Sequence, residues 1–533
     1  MSNFVDMYYE ILLPLKLNWY PTYSSDEVLA IGERVIVSFA HRDYVGVVLR
    51  GTEIPGVNAA KIQAVSSRIP GLPHISEEEL YFWKFISEYY LCTLGEVYRA
   101  AYPKSRIDSE MVLVRKKAKS ETCPCSTPPG DCGKKASPKP EILISVDRKQ
   151  FYLKEAVSTL ANNKSALVLV PEKAFGDELC KALKAEFGDR LRICNSRQTA
   201  AHRRETAQIL RSGEATVVLG TRSSIFLPFN NLGLIIVDEE QDYSHKQTEP
   251  NPRYNGRDCA VVLGKIHGAR VILGSAAPSF ETLYNLSNGK YSRLGQDSPS
   301  VPGRLPEVID ISAEKRKHGV TGDFSYKLID AIKASSGRIL LVRGWENEEE
   351  LRSQVSVLFP EKEITILNQT AAQATSGHFG LIAVMQADAL FDRSDFRADE
   401  KILQFLSCIS GKCDRMVVQT NKPEHPAFNI LHSGDPSPLL EERKSFRLPP
   451  FTRIIDVLLK DANPKRLEMF SGILAKALRG AIRIPGQDGV AFRITVSHSS
   501  DAASVKRNLL SAVDEIEKRY RYSGHIHIDV DPV

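Results

Sequence analysis

Four near-continuous apolar runs, Ala166-Leu-Val-Leu-Val, Ala215-Thr-Val-Val-Leu-Gly, Leu234-Ile-Ile-Val and Val271-Ile-Leu-Gly, lie between helical stretches in residues 141–290. Strands without polar alternation are buried on both faces, and parallel sheets covered by helices read this way. The third run ends in Asp238-Glu239-Glu240-Gln241. Paired acids at such a strand end can hold Mg²⁺ and polarise a water. That chemistry also needs a glycine-rich loop opening into a Lys-Ser/Thr helix, which cradles the phosphates. The run Ile142-Leu-Ile-Ser-Val-Asp-Arg-Lys-Gln-Phe-Tyr-Leu, with which this region begins, has no glycine. Side chains there would block the close backbone approach a phosphate nest requires. Arg148 or Lys149 retains the charge to attract an anion.

The 533 residues suffice for three or four domains, and 42% hydrophobic with 25% charged residues is ordinary for a globular chain. A net charge of +5 permits nucleic-acid binding without arguing for it. No apolar run approaches membrane-spanning length, and Met1-Ser-Asn-Phe-Val-Asp-Met has no basic-then-apolar leader, so a cytoplasmic protein with no membrane contact is expected. Nine cysteines at scattered spacings fit reduced thiols.

Five segments are expected. Residues 1–104 hold β-branched runs, Arg34-Val-Ile-Val-Ser-Phe and Tyr44-Val-Gly-Val-Val-Leu-Arg, as in a small β-barrel, and a helix over Glu77–Tyr90 with Leu80, Phe82, Phe85, Ile86 and Tyr89 as its apolar positions. Residues 105–140 read as a basic flexible linker; its Cys123, Cys125 and Cys132, with no nearby histidine, fall short of a zinc set. Residues 141–300 and 301–445 read as two α/β halves, the second fainter, with Arg338-Ile-Leu-Leu-Val and Leu381-Ile-Ala-Val as strands. Residues 446–533 read as an α+β domain: strand Ile454–Leu459, helix Lys465–Arg479, strand Phe492–Val496, helix Val505–Tyr520, strand Ile526–Val530.

Val168-Leu-Val-Pro-Glu, Gly220-Thr-Arg-Ser-Ser-Ile-Phe, Leu232-Gly-Leu-Ile-Ile-Val-Asp-Glu-Glu, Tyr254-Asn-Gly-Arg-Asp and Leu273-Gly-Ser-Ala-Ala-Pro-Ser occur in one order. So do Tyr89-Tyr-Leu-Cys-Thr-Leu-Gly-Glu-Val, Asp395-Phe-Arg-Ala-Asp-Glu, Gln419-Thr-Asn-Lys-Pro-Glu-His-Pro, Leu448-Pro-Pro-Phe and Ile528-Asp-Val-Asp-Pro. Together they resemble the primosomal protein N′ (PriA) family, superfamily-2 DNA helicases of bacterial replication restart. The resemblance implies an N-terminal DNA-binding domain, two RecA-like helicase lobes and a C-terminal α+β domain. It implies forked or single-stranded DNA and other primosome proteins as partners.

The departures run in one direction. The family's phosphate loop is gone. The His after Asp-Glu-Glu is Gln241, Ser-Ala-Thr reads Ser275-Ala276-Ala277, and Gln-x-x-Gly-Arg-x-Gly-Arg reads Cys408-Ile-Ser-Gly411-Lys412-Cys-Asp414-Arg415. Lys412 keeps charge without the bidentate fork, and Asp414 opposes phosphate beside Arg415. The vestigial motor set is therefore Asp238, Glu239, Glu240, Lys412 and Arg415, with no confident nucleotide-binding residue. About forty cysteine-free residues between Val342 and Leu381 leave no place for the family's zinc-binding cysteines, and residues 105–140 leave no room for its winged helix. Neither zinc nor another cofactor is expected; ATP and Mg²⁺ enter only if the motor is active.

Tyr8, Tyr9, Trp19, Tyr20 and Tyr23 crowd the N-terminus. Aromatic faces stack on unpaired bases, or fill a barrel core. The family's 3′-end pocket resembles this region; its Phe-Asp-Tyr turn falls on Pro21-Thr22-Tyr23 and its pocket Lys on Lys61. Trp19, Tyr20, Tyr23, Arg42, Lys61, Lys116 and Lys117, with Arg115 and Lys119 beside them, are the candidate DNA contacts. A solvated basic tether is the competing reading of the linker cations. Three functions follow: a DNA-binding scaffold without ATPase or helicase activity, an ATP-dependent 3′–5′ helicase with an unorthodox nucleotide site, or a protein-binding platform without DNA affinity.

Overall fold

The computed structural model describes residues 7–53, 61–69, 71–104, 107–108, 111, 138–172, 178–195, 198–295, 305–375, 377–391, 396–478, 480–486, 489–497, 501–520 and 525–533. Lys116, Lys117, Arg115, Lys119 and the three cysteines expected in the linker lie outside them.

The N-terminal strands are β1 (Met7–Leu12), β2 (Thr22–Ser25), β3 (Arg34–Phe39), β4 (Arg42–Thr52), β5 (Gln63–Ala64) and β6 (Ser67–Arg68), ordered β5-β2-β1-β4-β3-β6. The edges β5 and β6 are consecutive in the chain. Val65 N donates to Ser24 O on β2, and Ser66 N donates to Ile36 O on β3, both at 2.9 Å. Two residues span only about 7 Å, so one short segment bonds both edges and the sheet curls into a barrel. Strand alternation fills its interior with Tyr9, Ile11, Tyr23, Val35, Val37 and Val48. The opposite face, Leu12, Val45 and Val47, packs on the helices Glu77–Tyr89 and Leu94–Ala101. Capping boxes start both helices, Ser76 with Glu79 and Thr93 with Glu96.

The first lobe is a seven-stranded parallel sheet of β7 (Glu141–Ile144), β8 (Ser165–Leu169), β9 (Leu191–Cys194), β10 (Val217–Gly220), β11 (Leu232–Asp238), β12 (Arg270–Ser275) and β13 (Ser292–Arg293), ordered β13-β7-β12-β11-β8-β10-β9. Ile235 and Ile236 sit on opposite faces and are both fully buried, as strands covered on two sides require. The second lobe is a parallel sheet with order β14-β20-β19-β17-β18. Its strands are β14 (Glu307–Asp310), β17 (Ile339–Arg343), β18 (Ile364–Asn368), β19 (Phe379–Val384) and β20 (Cys413–Thr420); β15 (Val320–Thr321) and β16 (Phe324–Ser325) form a separate hairpin.

The last domain orders β21 (Thr452–Lys460), β22 (Ile482–Gly486), β23 (Gly489–Ser497) and β24 (His525–Val530) as β22-β23-β21-β24, antiparallel. The helices Pro464–Ala477 and Asp501–Arg519 pack against it. This domain is keyed into the others. Lys246 of the first lobe is buried with Nζ 2.5 Å from Val530 O and 2.9 Å from Asp529. Tyr89 OH donates to Asp531 at 3.0 Å beneath the Arg453 guanidinium, which lies 4.0 Å from the Tyr89 ring centre. Among the described residues no helix is long and apolar enough to cross a membrane.

Candidate nucleotide cleft and DNA-binding surface

β7 leads through Ser145–Arg148 into the helix Lys149–Ala161, and β11 delivers Asp238 and Glu239 beside that turn. The space a cation and phosphates would need is taken by side chains. Arg148 is 7% exposed; its Nε donates to Asp238 Oδ1 at 2.8 Å, one Nη contacts Glu239, and the other donates to Ser145 O. Burial works against this guanidinium's charge, but Asp238 and Glu239 outweigh it and hold its pKa well above the ordinary value. Tyr152, one turn along the helix, donates its hydroxyl to Asp238 Oδ1 at 2.9 Å. Burial and then Asp238 raise that phenol far above its usual range, so it stays the donor. Gly274 on β12 makes the room: a Cβ there would lie 1.6 Å from the Tyr152 oxygen.

The remaining motif residues are engaged as well. Gln241 Nε2 donates to Glu239 at 2.6 Å, and Gln241 Oε1 accepts from Ser275 Oγ at 2.6 Å. Glu240 is buried and accepts from Ser279 N (2.6 Å), Ser279 Oγ and Thr282 Oγ1 (both 3.0 Å) and Arg257 (3.1 Å). Burial raises its pKa although Arg257 and Ser279 pull it down. Glu240 thus braces Ser279, the residue that caps the helix Phe280–Ser287, and is itself buried. In the second lobe Lys412 Nζ donates to Gln373 O (2.7 Å) and Thr375 O (2.9 Å), and Arg415 pairs with Glu307 at 2.5 Å. Both cations are held by their own lobe. Mg²⁺ and a nucleotide therefore do not fit these residues as they stand: Arg148 already occupies both acids, the turn has no glycine and both second-lobe cations are engaged.

At the barrel, Trp19 is 53% exposed with its ring centre 6.1 Å from that of Phe39, and Phe39 pairs with exposed Arg42 across the β3–β4 hairpin end. Tyr20 is partly exposed; burial and then Glu10 raise its phenol pKa, against the opposing pull of Arg50. Lys61 is exposed just before β5. Tyr23 corrects the expectation: it is 3% exposed, its ring in the barrel core and its hydroxyl donating to Ser38 O at 2.8 Å, so it has no face for a base. Tyr9 is buried likewise, accepting from Leu29 N.

Residues 10–103 match the family model of the PriA 3′ DNA-binding domain, and residues 150–286 match that of DEAD/DEAH box helicases. Replication restart protein PriA of Rickettsia felis is 27% identical over 594 aligned positions, covering 90% of this chain and 91% of that protein. The chain is PriA-like. PriA of Helicobacter pylori strain J99 is 30% identical across 61% of this chain and 50% of its own length. Among solved structures, RecG bound to a three-way DNA junction superposes with a TM-score of 0.38 at 11% identity, over 70% of this chain and 54% of that one.

In this PriA-like chain, sequence reasoning missed Tyr152 and Arg257. Arg148 was legible only as a cation able to draw an anion; the anion is the protein's own Asp238–Glu239 pair. Arg257 stood in plain view within Tyr254-Asn-Gly-Arg-Asp. Its buried partner Glu240 was read with the motor acids because adjacent residues at a strand end turn to different surroundings. Among the described residues no group of three or more His, Cys, Asp or Glu side chains could hold a metal.

Proposed function

We propose that this PriA-like chain binds forked or single-stranded DNA and serves replication restart as a scaffold for other primosome proteins, in the cytoplasm, without ATP hydrolysis or unwinding. The match to the PriA 3′ DNA-binding domain supports the DNA-binding half, and so do the exposed Trp19, Tyr20, Arg42 and Lys61 on the barrel. One observation carries the other half: Arg148 is bonded to both strand-end acids. Replacing it with a hydrated cation and a polyphosphate would require withdrawing a buried guanidinium and rebuilding a turn that lacks glycine.

The test is calorimetric titration of the full chain with ATP and Mg²⁺, with phosphate release measured on forked DNA. No binding at millimolar nucleotide and no release are expected. DNA-stimulated turnover that Asp238→Asn abolishes would establish instead an ATP-dependent 3′–5′ helicase with an unorthodox site, the reading favoured by the DEAD/DEAH match over residues 150–286. Absence of DNA binding as well would leave a protein-binding platform.

A further inference from the structure

Two sets of contacts join the lobes. In one, Val146 of the glycine-free turn lies against Gly411 of the second lobe; a Cβ on Gly411 would come within 2.5 Å of Val146 Cγ1. A side chain at 411 would force Val146 or its surroundings to shift. In the other, a buried carboxylate joins the lobes. Glu400, on the second-lobe helix Ala398–Ser410, accepts from Phe280 N of the first lobe at 2.9 Å, from Arg443 at 2.8 Å and from Arg397 at 3.4 Å. Arg397 returns across the seam to Glu281 at 2.7 Å. The Arg443 guanidinium lies 4.4 Å from the Phe280 ring centre. Phe280 itself belongs to the second lobe's core, in one cluster with Leu340, Phe405 and Leu406, and Leu283 packs against it.

Resting on the reading that the cleft takes no nucleotide, we propose that the two lobes form one fixed body, held closed by Val146 against Gly411 and by the Glu400 hub. Separating them would take Phe280 N from buried Glu400, Glu281 from Arg397 and the Phe280 ring from Arg443, and pull Phe280 out of an apolar core. A ligand moves such an equilibrium only by binding one arrangement better than the other, and a cleft whose acids are held by Arg148 and whose second-lobe cations are already paired offers nucleotide no such difference. The lobes then serve as a rigid spacer between the DNA-binding barrel and the C-terminal domain.

Single-molecule energy transfer on the full chain tests this, with dyes placed through unnatural amino acids at Val157 on the first lobe and Val357 on the second, both exposed. The expected result is one narrow population, unchanged by millimolar ATP or ADP with Mg²⁺ and by single-stranded DNA. Glu400→Gln is expected to add a lower-transfer population; Val146→Gly, which leaves every charge in place, keeps the test available if Glu400→Gln does not fold. A second population in the unaltered chain, a shift with nucleotide, or no change in either folded variant overturns the proposal. Phosphate release from a chain whose lobes stay fixed overturns the reading under Proposed function and leaves this one standing. Lobe motion without phosphate release does the reverse.

Discussion

Arg148→Met and Lys149→Met remove neighbouring cations from one turn, and the structure predicts losses of very different size. Arg148 is buried and holds Asp238 at 2.8 Å, while Lys149 pairs with exposed Glu178 at 3.2 Å. Breaking a buried pair by removing one partner costs about 3–5 kcal/mol. Asp238 keeps the Tyr152 hydroxyl at 2.9 Å and Glu239 keeps Gln241 at 2.6 Å, which places Arg148→Met at the low end, about 3 kcal/mol. For a lobe of this size each kcal/mol moves the midpoint by roughly 2–4 °C, so the first-lobe transition should fall by about 6–12 °C. Lys149→Met should cost about 0–1 kcal/mol, as exposed pairs do. Differential scanning calorimetry of the full chain, with hydrogen exchange to assign the transition to residues 141–290, makes the comparison. Adding Asp238→Asn and Glu239→Gln to Arg148→Met should recover most of the loss, because the buried charge is removed with its partner. If Arg148→Met melts with Lys149→Met, or the triple variant recovers nothing, the guanidinium is not what satisfies these acids and the closed cleft fails with it.

At the lobe seam, burial alone would raise the Glu281 carboxyl, but Arg397 pulls it down to about 2 from 4.5. A depressed folded value adds stability above pH 4.5 that is lost as pH falls toward 2. That is on the order of 3 kcal/mol, and Glu281→Gln should flatten this part of a stability–pH curve. On the barrel, Trp19→Ala should weaken single-stranded DNA by about 1–3 kcal/mol while a folded Tyr23→Leu, which removes the ring, leaves it unchanged, read by fluorescence anisotropy; equal losses would put Tyr23 back among the contacts. Lys61→Ala should lower the log–log salt slope by roughly 0.7, and deleting residues 1–140 should abolish the preference for forks; a 141–533 fragment that binds forks as the whole chain does would contradict the barrel assignment. Elemental analysis should find no stoichiometric zinc; zinc lost on replacing Cys123 and Cys125 would locate a site in that segment.

The sheets were legible where burial on two faces leaves no polar alternation, so β8, β10, β11 and β12 fall on the four runs that Ala166, Ala215, Leu234 and Val271 begin. β9, Leu191-Arg-Ile-Cys, was not, because an edge strand carries a charge on its open side and is too short for periodicity. The helix Glu77–Tyr89 was expected from its spacing, yet Trp83, among its most buried residues, went unnoticed. It faces Tyr98 of the next helix and Tyr102 just past that helix's end, ring centres 5.6 and 5.7 Å away, a demand set by a partner that helical period does not report.

The cleft shows the same limit at the level of chemistry. Motif arithmetic could register that a glycine loop was missing, because a phosphate nest is local in sequence. It could not register what had replaced it, since Arg148 and Asp238 are ninety residues apart and meet only because β7 and β11 flank β12 in one sheet. Parallel topology fixes that meeting: it brings the turn after β7 and the end of β11 to the same edge of the sheet, where the groups must neutralise each other or bind something that does. A glycine-rich turn leaves the task to a ligand. A turn carrying Arg148, followed one helical turn later by Tyr152 and opposed by Gly274, assigns it to the chain. The glycine-free turn and the paired acids are then two sides of one arrangement, which is why Arg148, rather than Asp238, is the residue whose removal tests the scaffold reading.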